Sequence, residues 1–282
     1  MGMFQWSLSR SLAKAPQPRP VVHEASTPKY DEPRTEMLPV TMESLRKAPT
    51  KNIASNTNDI KVSNVMQVSH ATGKNRYPDE YAAVQSYLRT QFPEKPLKLM
   101  SFGSSYGDEA ISLATLYFNE TEGFSDVTIY GFDVDDDTLI RAREYVDNYA
   151  HNAKRSPLPI QFFDGRNTSL NIDGKYDAIF ANSVLCDATS QPMTVEVVEK
   201  QIPFEYFEST LAKFDDLLNE RGVIAIVQSS YLFRDSHLAE RYEVVSQCVS
   251  NLIPYIDLEK HTFVPNSNNE ARDCVWKKLR SA

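Results

Sequence analysis

Four short segments hold most of the side chains in this sequence that could do chemistry. The first is Ser101-Phe102-Gly103-Ser104-Ser105-Tyr106-Gly107-Asp108-Glu109. Two glycines four apart permit a tight turn and a close backbone approach to a ligand, although any strand-to-helix turn can use such a pair. The acids that follow are more selective. A dinucleotide loop wants G-x-G-x-x-G. Counted from Gly103, its second and third glycine positions hold Ser105 and Asp108. A pyrophosphate seeks an electropositive helix start. Asp108 and Glu109 would repel it and would suit a ligand bearing an ammonium group, with one of the two acids assignable to the helix dipole alone.

The second segment is Gly131-Phe132-Asp133-Val134-Asp135. Asp133 can accept hydrogen bonds from both hydroxyls of a ribose, with Val134 beside it, and Asp135 suits the cap of the next helix. Asp133 falls thirty residues after Gly103, longer than the ~20 of a dinucleotide fold. The third segment, Phe163-Asp164-Gly165-Arg166-Asn167, offers an acid for an adenine amino group and a glycine for backbone access; a simple turn explains it equally. The fourth is Ala181-Asn182-Ser183-Val184-Leu185-Cys186-Asp187. Asn182 and Ser183 are polar groups in an apolar run. Asp187 is the nearby acid, a candidate general base if an acceptor must lose a proton, and otherwise a solvated loop acid.

These segments need a scaffold that brings them to one place. Each follows an apolar run that reads as a strand: Leu97 to Phe102, Val127 to Phe132, Ile160 to Phe163 and Tyr176 to Ala181. Helical periodicity separates them. Pro78, Asp79 and Glu80 open a helix carrying Tyr81, Val84, Leu88 and Phe92. Ala110 to Phe118 suits a buried helix, and Asp135 to Asp137 cap one that buries Leu139, Ala142, Val146 and Tyr149. Phe204, Phe207, Leu211, Phe214 and Leu218 stripe another, ended by Glu220-Arg221-Gly222 before the apolar strand Val223 to Val227. Strand–helix alternation of this kind gives a doubly wound, mainly parallel sheet. Leu258 to Val264 and Cys274 to Leu279 suit a final antiparallel hairpin, for seven strands. Ligands of such sheets lie outside the carboxyl ends of the strands, at the switch point, which is where the four segments fall.

Here the sequence resembles the class I S-adenosylmethionine-dependent methyltransferases, over roughly residues 97–230. The resemblance rests on the glycine loop, Asp133, Asp164-Gly165 and Tyr176-Asp177-Ala178-Ile179-Phe180. Its cofactor loop is similar to that of the chemotaxis-receptor glutamate methyltransferases: S-x-G-x-E-x-x-S stands here as Ser105-Tyr106-Gly107-Asp108-Glu109-Ala110-Ile111-Ser112, and D-I-D as Asp133-Val134-Asp135. The resemblance implies a Rossmann-like fold, S-adenosyl-L-methionine as cofactor, Glu109 on the methionine amino group and Asp133 on the ribose. Gly103, Ser104, Ser105, Gly107, Val134, Asp164, Gly165, Asn182 and Ser183 complete the expected cofactor site, with Asn182 and Asp187 nearest the chemistry. The acceptor does not transfer. The family's R-N-V after the fourth strand is Asn182-Ser183-Val184 here, and its F-F-R is replaced by Asn75-Arg76-Tyr77-Pro78. Arg76 and Tyr77 nevertheless precede the first helix as the family's arginine does, and are expected to bind substrate or the methionine carboxylate.

Composition bounds the remainder. The formal net charge of −8 over 282 residues argues against a nucleic-acid partner, which needs a concentrated basic face. The expected acceptor is a small molecule or a protein side chain. Cys186, Cys248 and Cys274 are widely spaced and show no metal pattern, so three reduced thiols in a cytoplasmic setting are expected and no metal site. No run suits a membrane span. Seven of the sixteen prolines lie in the first 49 positions, so residues 1–70 read as an extended or disordered arm and 71–282 as the cofactor-binding domain. Residues 1–23, basic and free of acids, suit an organelle transit peptide or a disordered start. Residues 187–203 form an insertion that could cover a substrate. Two other classes stay open: a noncatalytic S-adenosylmethionine-binding scaffold or regulator, and a nicotinamide oxidoreductase, which the glycine spacing disfavours. The oligomeric state is not legible.

Overall fold

The computed structural model describes residue 70 and residues 72–93, 95–166, 168–186, 202–249, 253–265 and 271–280. All belong to the compact unit Ile60–Ala282. The proline-rich arm (His70 apart), Asn167, Asp187 and the insertion up to residue 201 lie outside the described residues.

Helix α1 (Pro78–Gln91) leads into β1 (Leu97–Phe102). After the glycine loop comes α2 (Asp108–Ser112), which widens into a π-helical turn over Leu113–Tyr117 instead of running on as α-helix to Phe118. Then follow β2 (Val127–Asp133), α3 (Asp136–Asn152), β3 (Ile160–Asp164) and β4 (Tyr176–Phe180). Helix α4 (Phe204–Leu217) passes directly into β5 (Leu218–Ala225). This strand begins five residues earlier than the apolar run suggested, because Leu218 already pairs with Tyr176; the register then breaks before Val223 meets Ala178, and Arg221 in the break takes φ +64°. Strands β6 (Tyr242–Cys248), β7 (Tyr255–Asp257), β8 (Thr262–Val264) and β9 (Arg272–Lys278) complete the described elements.

The main sheet has seven strands in the order β3-β2-β1-β4-β5-β9-β6. β1 pairs in parallel with both β2 and β4, which places the switch point between them. β9 is inserted antiparallel between β5 and β6. The expected doubly wound architecture is therefore present. Every residue of β4 is buried, as a strand covered on both faces requires. One core face gathers Val84, Leu88, Leu99, Ile111, Ile129 and Val223; the other gathers Met100, Phe132, Ile179, Phe207, Phe214 and Ile224.

The expected antiparallel hairpin at the C-terminal edge is present, with a different first strand than the sequence indicated. β9 pairs with β6, while Thr262–Val264 pairs with Tyr255–Asp257 in a separate two-stranded sheet. β6 escapes sequence reading because it is an edge strand with two register irregularities and mostly exposed or half-buried residues, so no period-two alternation survives. The expectation of three reduced thiols is also corrected: Cys248 and Cys274 form a disulfide across β6 and β9, with Cα atoms 5.9 Å apart, and Cys186 is a buried thiol outside it. Among the described residues no helix is long and apolar enough to cross a membrane.

Candidate functional site

The glycine loop is held by backbone bonds at the end of β2. The N–H groups of Gly103 and Ser104 both donate to the Phe132 carbonyl, at 2.8 and 2.9 Å. Gly103 has φ +73°, and a Cβ there would stand 2.5 Å from Val184 Cγ2, so the loop needs glycine on both counts. Ser105 holds a left-handed conformation without that freedom, φ +48°. Its N–H donates to Asp133 Oδ2 at 2.8 Å, while Asp133 Oδ1 accepts from Val134 N at 2.8 Å and Asp135 N at 3.1 Å. Asp133, 9% exposed, thus fastens the loop to its own strand end and retains about one of roughly four lone-pair directions. Val134 beside it is exposed. Ser104 Oγ is buried with no hydrogen-bond partner among the described residues.

Glu109 turns inward from α2. Its Oε1 accepts from Ser101 Oγ at 2.7 Å, and its Oε2 from Asn182 Nδ2 at 2.8 Å and Tyr81 Oη at 3.2 Å. Asn182, just past β4, also donates from Nδ2 to Glu80 Oε1 at 2.8 Å and accepts at Oδ1 from Val227 N at 2.9 Å. One amide therefore ties two carboxyl groups to the ends of β4 and β5. Burial raises the Glu109 pKa above its ordinary value, against the opposing hydrogen bonds from Ser101, Asn182 and Tyr81. Glu80, 1% exposed, is raised further, by burial and then by the neighbouring Glu109 charge. Asp108 remains outside this cluster and accepts from Tyr145 Oη at 3.2 Å.

A second group adjoins it. Tyr77, buried, shares a hydrogen bond with Ser183 Oγ, which donates to Gln228 Oε1 at 2.5 Å. Arg76 Nη2 reaches the same Gln228 oxygen at 3.3 Å, and its guanidinium lies 5.3 Å from the Tyr77 ring centroid. Burial pushes the Tyr77 hydroxyl up to about 12. Ser183 and Gln228 both take positive φ, +55° and +60°. With Ser105, three non-glycine residues in left-handed backbone stand at the ends of β1, β4 and β5. Such conformations cost about 1–3 kcal/mol each and cluster at binding sites. At the end of β3, Gly165 N donates to the Asp133 carbonyl at 2.8 Å. Asp164 is clasped by Arg166, whose Nε and Nη2 lie 2.9 and 3.0 Å from its two oxygens and whose Nη2 also reaches Asp136. Beyond β5 lies a shallow cleft of only about 30 Å³, partly open to solvent, lined by Gln228, Ser229, Tyr231, Arg272, Asp273 and Trp276 among others.

Of the expected site residues, Gly103, Ser104, Ser105, Gly107, Glu109, Asp133, Val134, Asn182, Ser183, Arg76 and Tyr77 converge at the carboxyl ends of β1, β2, β4 and β5. Asp164 and Gly165 adjoin through β3. The sequence reading passed over Ser101, Tyr81, Glu80 and Gln228. Glu80 had a signal, since it stands four and eight positions before Val84 and Leu88 on the buried stripe. Gln228 had one too, because it follows the fifth strand at the same end of the sheet.

No protein-family model matches this chain, and no curated protein matches it. Solved structures similar to it include the magnesium protoporphyrin IX methyltransferase of Synechocystis PCC 6803 with bound S-adenosylmethionine (12% identity, TM-score 0.42, covering 74% of this chain and 87% of that one). The plantazolicin methyltransferase BpumL, in complex with a monoazolic desmethylPZN analogue and S-adenosylhomocysteine, matches at 16% identity and TM-score 0.34, over 57% of this chain and 48% of that one. PKMT2 from Rickettsia typhi matches at 16% identity and TM-score 0.35, over 55% and 26%. The chain spans less than half the length of the latter two.

Proposed function

We propose that this protein transfers a methyl group from S-adenosyl-L-methionine to a small molecule or a protein side chain. One observation carries the reading: where a dinucleotide fold presents a helix start to phosphate, this fold turns the Glu109 carboxyl inward at the end of β1. A carboxylate there suits a cation and opposes a pyrophosphate. The residues fit this cofactor on other grounds as well. The loop at Gly103 approaches the β4 end too closely for a side chain, and Ser104 Oγ is a buried group with no partner among the described residues.

When bound, the cofactor would supply an activated methyl group on a sulfonium, whose transfer to an acceptor's lone pair would release the neutral thioether S-adenosylhomocysteine. The chain's own residues bind and orient it. Glu109 accepts from the methionine ammonium, and Arg76 balances the methionine carboxylate or an acidic acceptor. The free lone pair of Asp133 takes a ribose hydroxyl. Val134 lies along the adenine, with Asp164 and Gly165 at its amino edge, where Asp164 must share its oxygens with Arg166. Asn182 and Ser183 line the end of β4 that faces the transferred methyl. A carboxylate acceptor requires no base; a hydroxyl or ammonium acceptor does, and Asp187 is the candidate from sequence. The loop Ser105–Ser112 supports a cofactor site like that of the chemotaxis-receptor glutamate methyltransferases, without their acceptor.

Isothermal titration with S-adenosylmethionine and its demethylated product, paired with a methyl-release assay over a panel of acceptors, tests this. The reading expects micromolar binding of both, with Kd on the order of 1–100 μM, and turnover with at least one acceptor. Binding without any turnover would favour a scaffold or regulator. Binding of NADH in place of S-adenosylmethionine would sink the reading.

A further inference from the structure

Glu80 is a buried charge for which the methyl-transfer reading has no use. It sits on α1, ahead of the sheet, at 1% exposure. Its Oε1 is satisfied by Asn182, but its Oε2 is buried with no hydrogen-bond partner among the described residues. The nearest charge acting on it is another carboxylate, Glu109, held by the same Asn182 amide. The hydrogen-bond donors seen on the two carboxyl groups, from Asn182, Tyr81 and Ser101, are neutral. Burial and mutual repulsion each disfavour the charged pair; Arg76 acts through space on Glu109, and among the described residues no cation offsets the Glu80 charge. A proton on one of them relieves the repulsion but leaves an acceptor atom unused. A primary ammonium relieves both, since it brings a positive charge and three N–H donors. The rings of Tyr77 and Tyr81, edge to face at 6.3 Å, add apolar walls close by.

We infer that Glu80 and Glu109 together form a two-carboxylate seat for the α-ammonium of the cofactor's methionine moiety, with Glu80 as the residue that selects a charged amine. The inference rests on the proposed cofactor. Glu80 comes from the helix that leads into the fold, outside the four strand-end segments. In this arrangement Asn182 sets the spacing of the two acids, and α1 docks onto the sheet as part of the binding site.

Calorimetric binding on the full chain separates the possibilities. The probes are S-adenosylhomocysteine, which keeps the ammonium, and 5′-methylthioadenosine, which shares the nucleoside and lacks the amino-acid portion. Glu80→Gln preserves shape and the Asn182 contact while removing the charge. It is expected to weaken S-adenosylhomocysteine by about tenfold or more, as loss of a charge-assisted hydrogen bond does, and to leave 5′-methylthioadenosine within about twofold on the same scale. Glu80→Asp, which withdraws the carboxylate by one methylene, is expected to lose part of the same affinity, and it serves if the glutamine variant does not fold. Equal effects on both probes, or no effect of either variant beside a clear loss in Glu109→Gln, overturn the two-carboxylate seat and leave the cofactor assignment standing. Failure of the unaltered protein to bind either probe overturns both.

Discussion

Glu80 should weaken the folded chain while it serves the ligand. A carboxyl group whose pKa is raised in the folded state binds its proton more tightly there than in the unfolded chain. Below the ordinary carboxylate range both states are protonated and nothing is lost. As pH climbs from that range toward the raised folded value, the unfolded chain releases its proton first, and folding stability falls. Above the folded value the full penalty persists. Melting temperature measured between about pH 4 and 8, a window that starts near the ordinary carboxylate pKa, should therefore decline for the native chain without ligand. It should decline less steeply for Glu80→Gln, which melts higher at the upper end; Glu109, raised in the same direction, accounts for the residual slope. Parallel curves for the two proteins would count against a costly buried charge. Stability lost at a site built for binding is a common trade. It also explains why this residue was hard to read. In sequence, an acid beside Pro78 and Asp79 looks like a complement to the helix dipole, and its spacing from Val84 and Leu88 is the one sign that it points into the core. Asp133 was legible as a strand-end acid, but its hold on Ser105 N–H depends on a loop conformation that no spacing reveals.

Among the elements, α4 and β9 are joined by a buried charge cluster. Asp215 of α4 and Lys278 of β9, each with a side chain 5% exposed, form an ion pair at 3.1 Å, and the same Nζ donates to the Asp215 carbonyl at 2.6 Å. Arg241 reaches the other Asp215 oxygen at 2.8 Å, and Tyr242 Oη donates to the first at 2.9 Å. The cluster fastens the antiparallel edge of the sheet to a helix packed on its face. Breaking one side of a buried pair leaves the partner desolvated without compensation. Lys278→Met should thus lose about 3 kcal/mol in chemical denaturation, while Lys278→Met combined with Asp215→Leu should recover much of that loss. If the double variant falls by the sum of the singles, the two residues are not coupled and the cluster is not the fastener described. The helices and the five parallel strands could be read from periodicity because each is long or apolar throughout. β6 could not, since an irregular edge strand keeps neither alternation nor an apolar run, and without β6 neither the true partner of β9 nor this cluster could be found.

At the scale of the whole molecule, the unforeseen strand carries the unforeseen covalent bond. Cys248 and Cys274 are 26 residues apart in sequence, with no spacing motif to suggest a pairing; their meeting depends on the β6–β9 register, in which Cys248 lies opposite Arg272. The disulfide withdraws the ground on which a reducing compartment was expected, since such bonds persist mainly where conditions are oxidising. It also closes the sheet edge behind the site: the Cys274 carbonyl accepts from Ile226 N at 2.9 Å, two residues before Gln228. Closing a loop of this length removes chain entropy from the unfolded state worth about 3–4 kcal/mol on the loop-closure estimate. For a chain of this size that corresponds to a melting shift on the order of 10 °C. The native protein should therefore show one titratable thiol, Cys186, when denatured without reductant, and three after reduction. Its melting temperature should fall by that amount in reductant. The variant with Cys248→Ser and Cys274→Ser should melt at the lowered temperature with or without reductant. Its affinity for S-adenosylhomocysteine should change little, because Val223, Ile224 and Ala225 still pair with β9 and hold the strand end that carries Gln228. Three free thiols in the unreduced chain would remove the cross-link, and a large loss of affinity in the serine variant would mean that the ladder alone does not position the site.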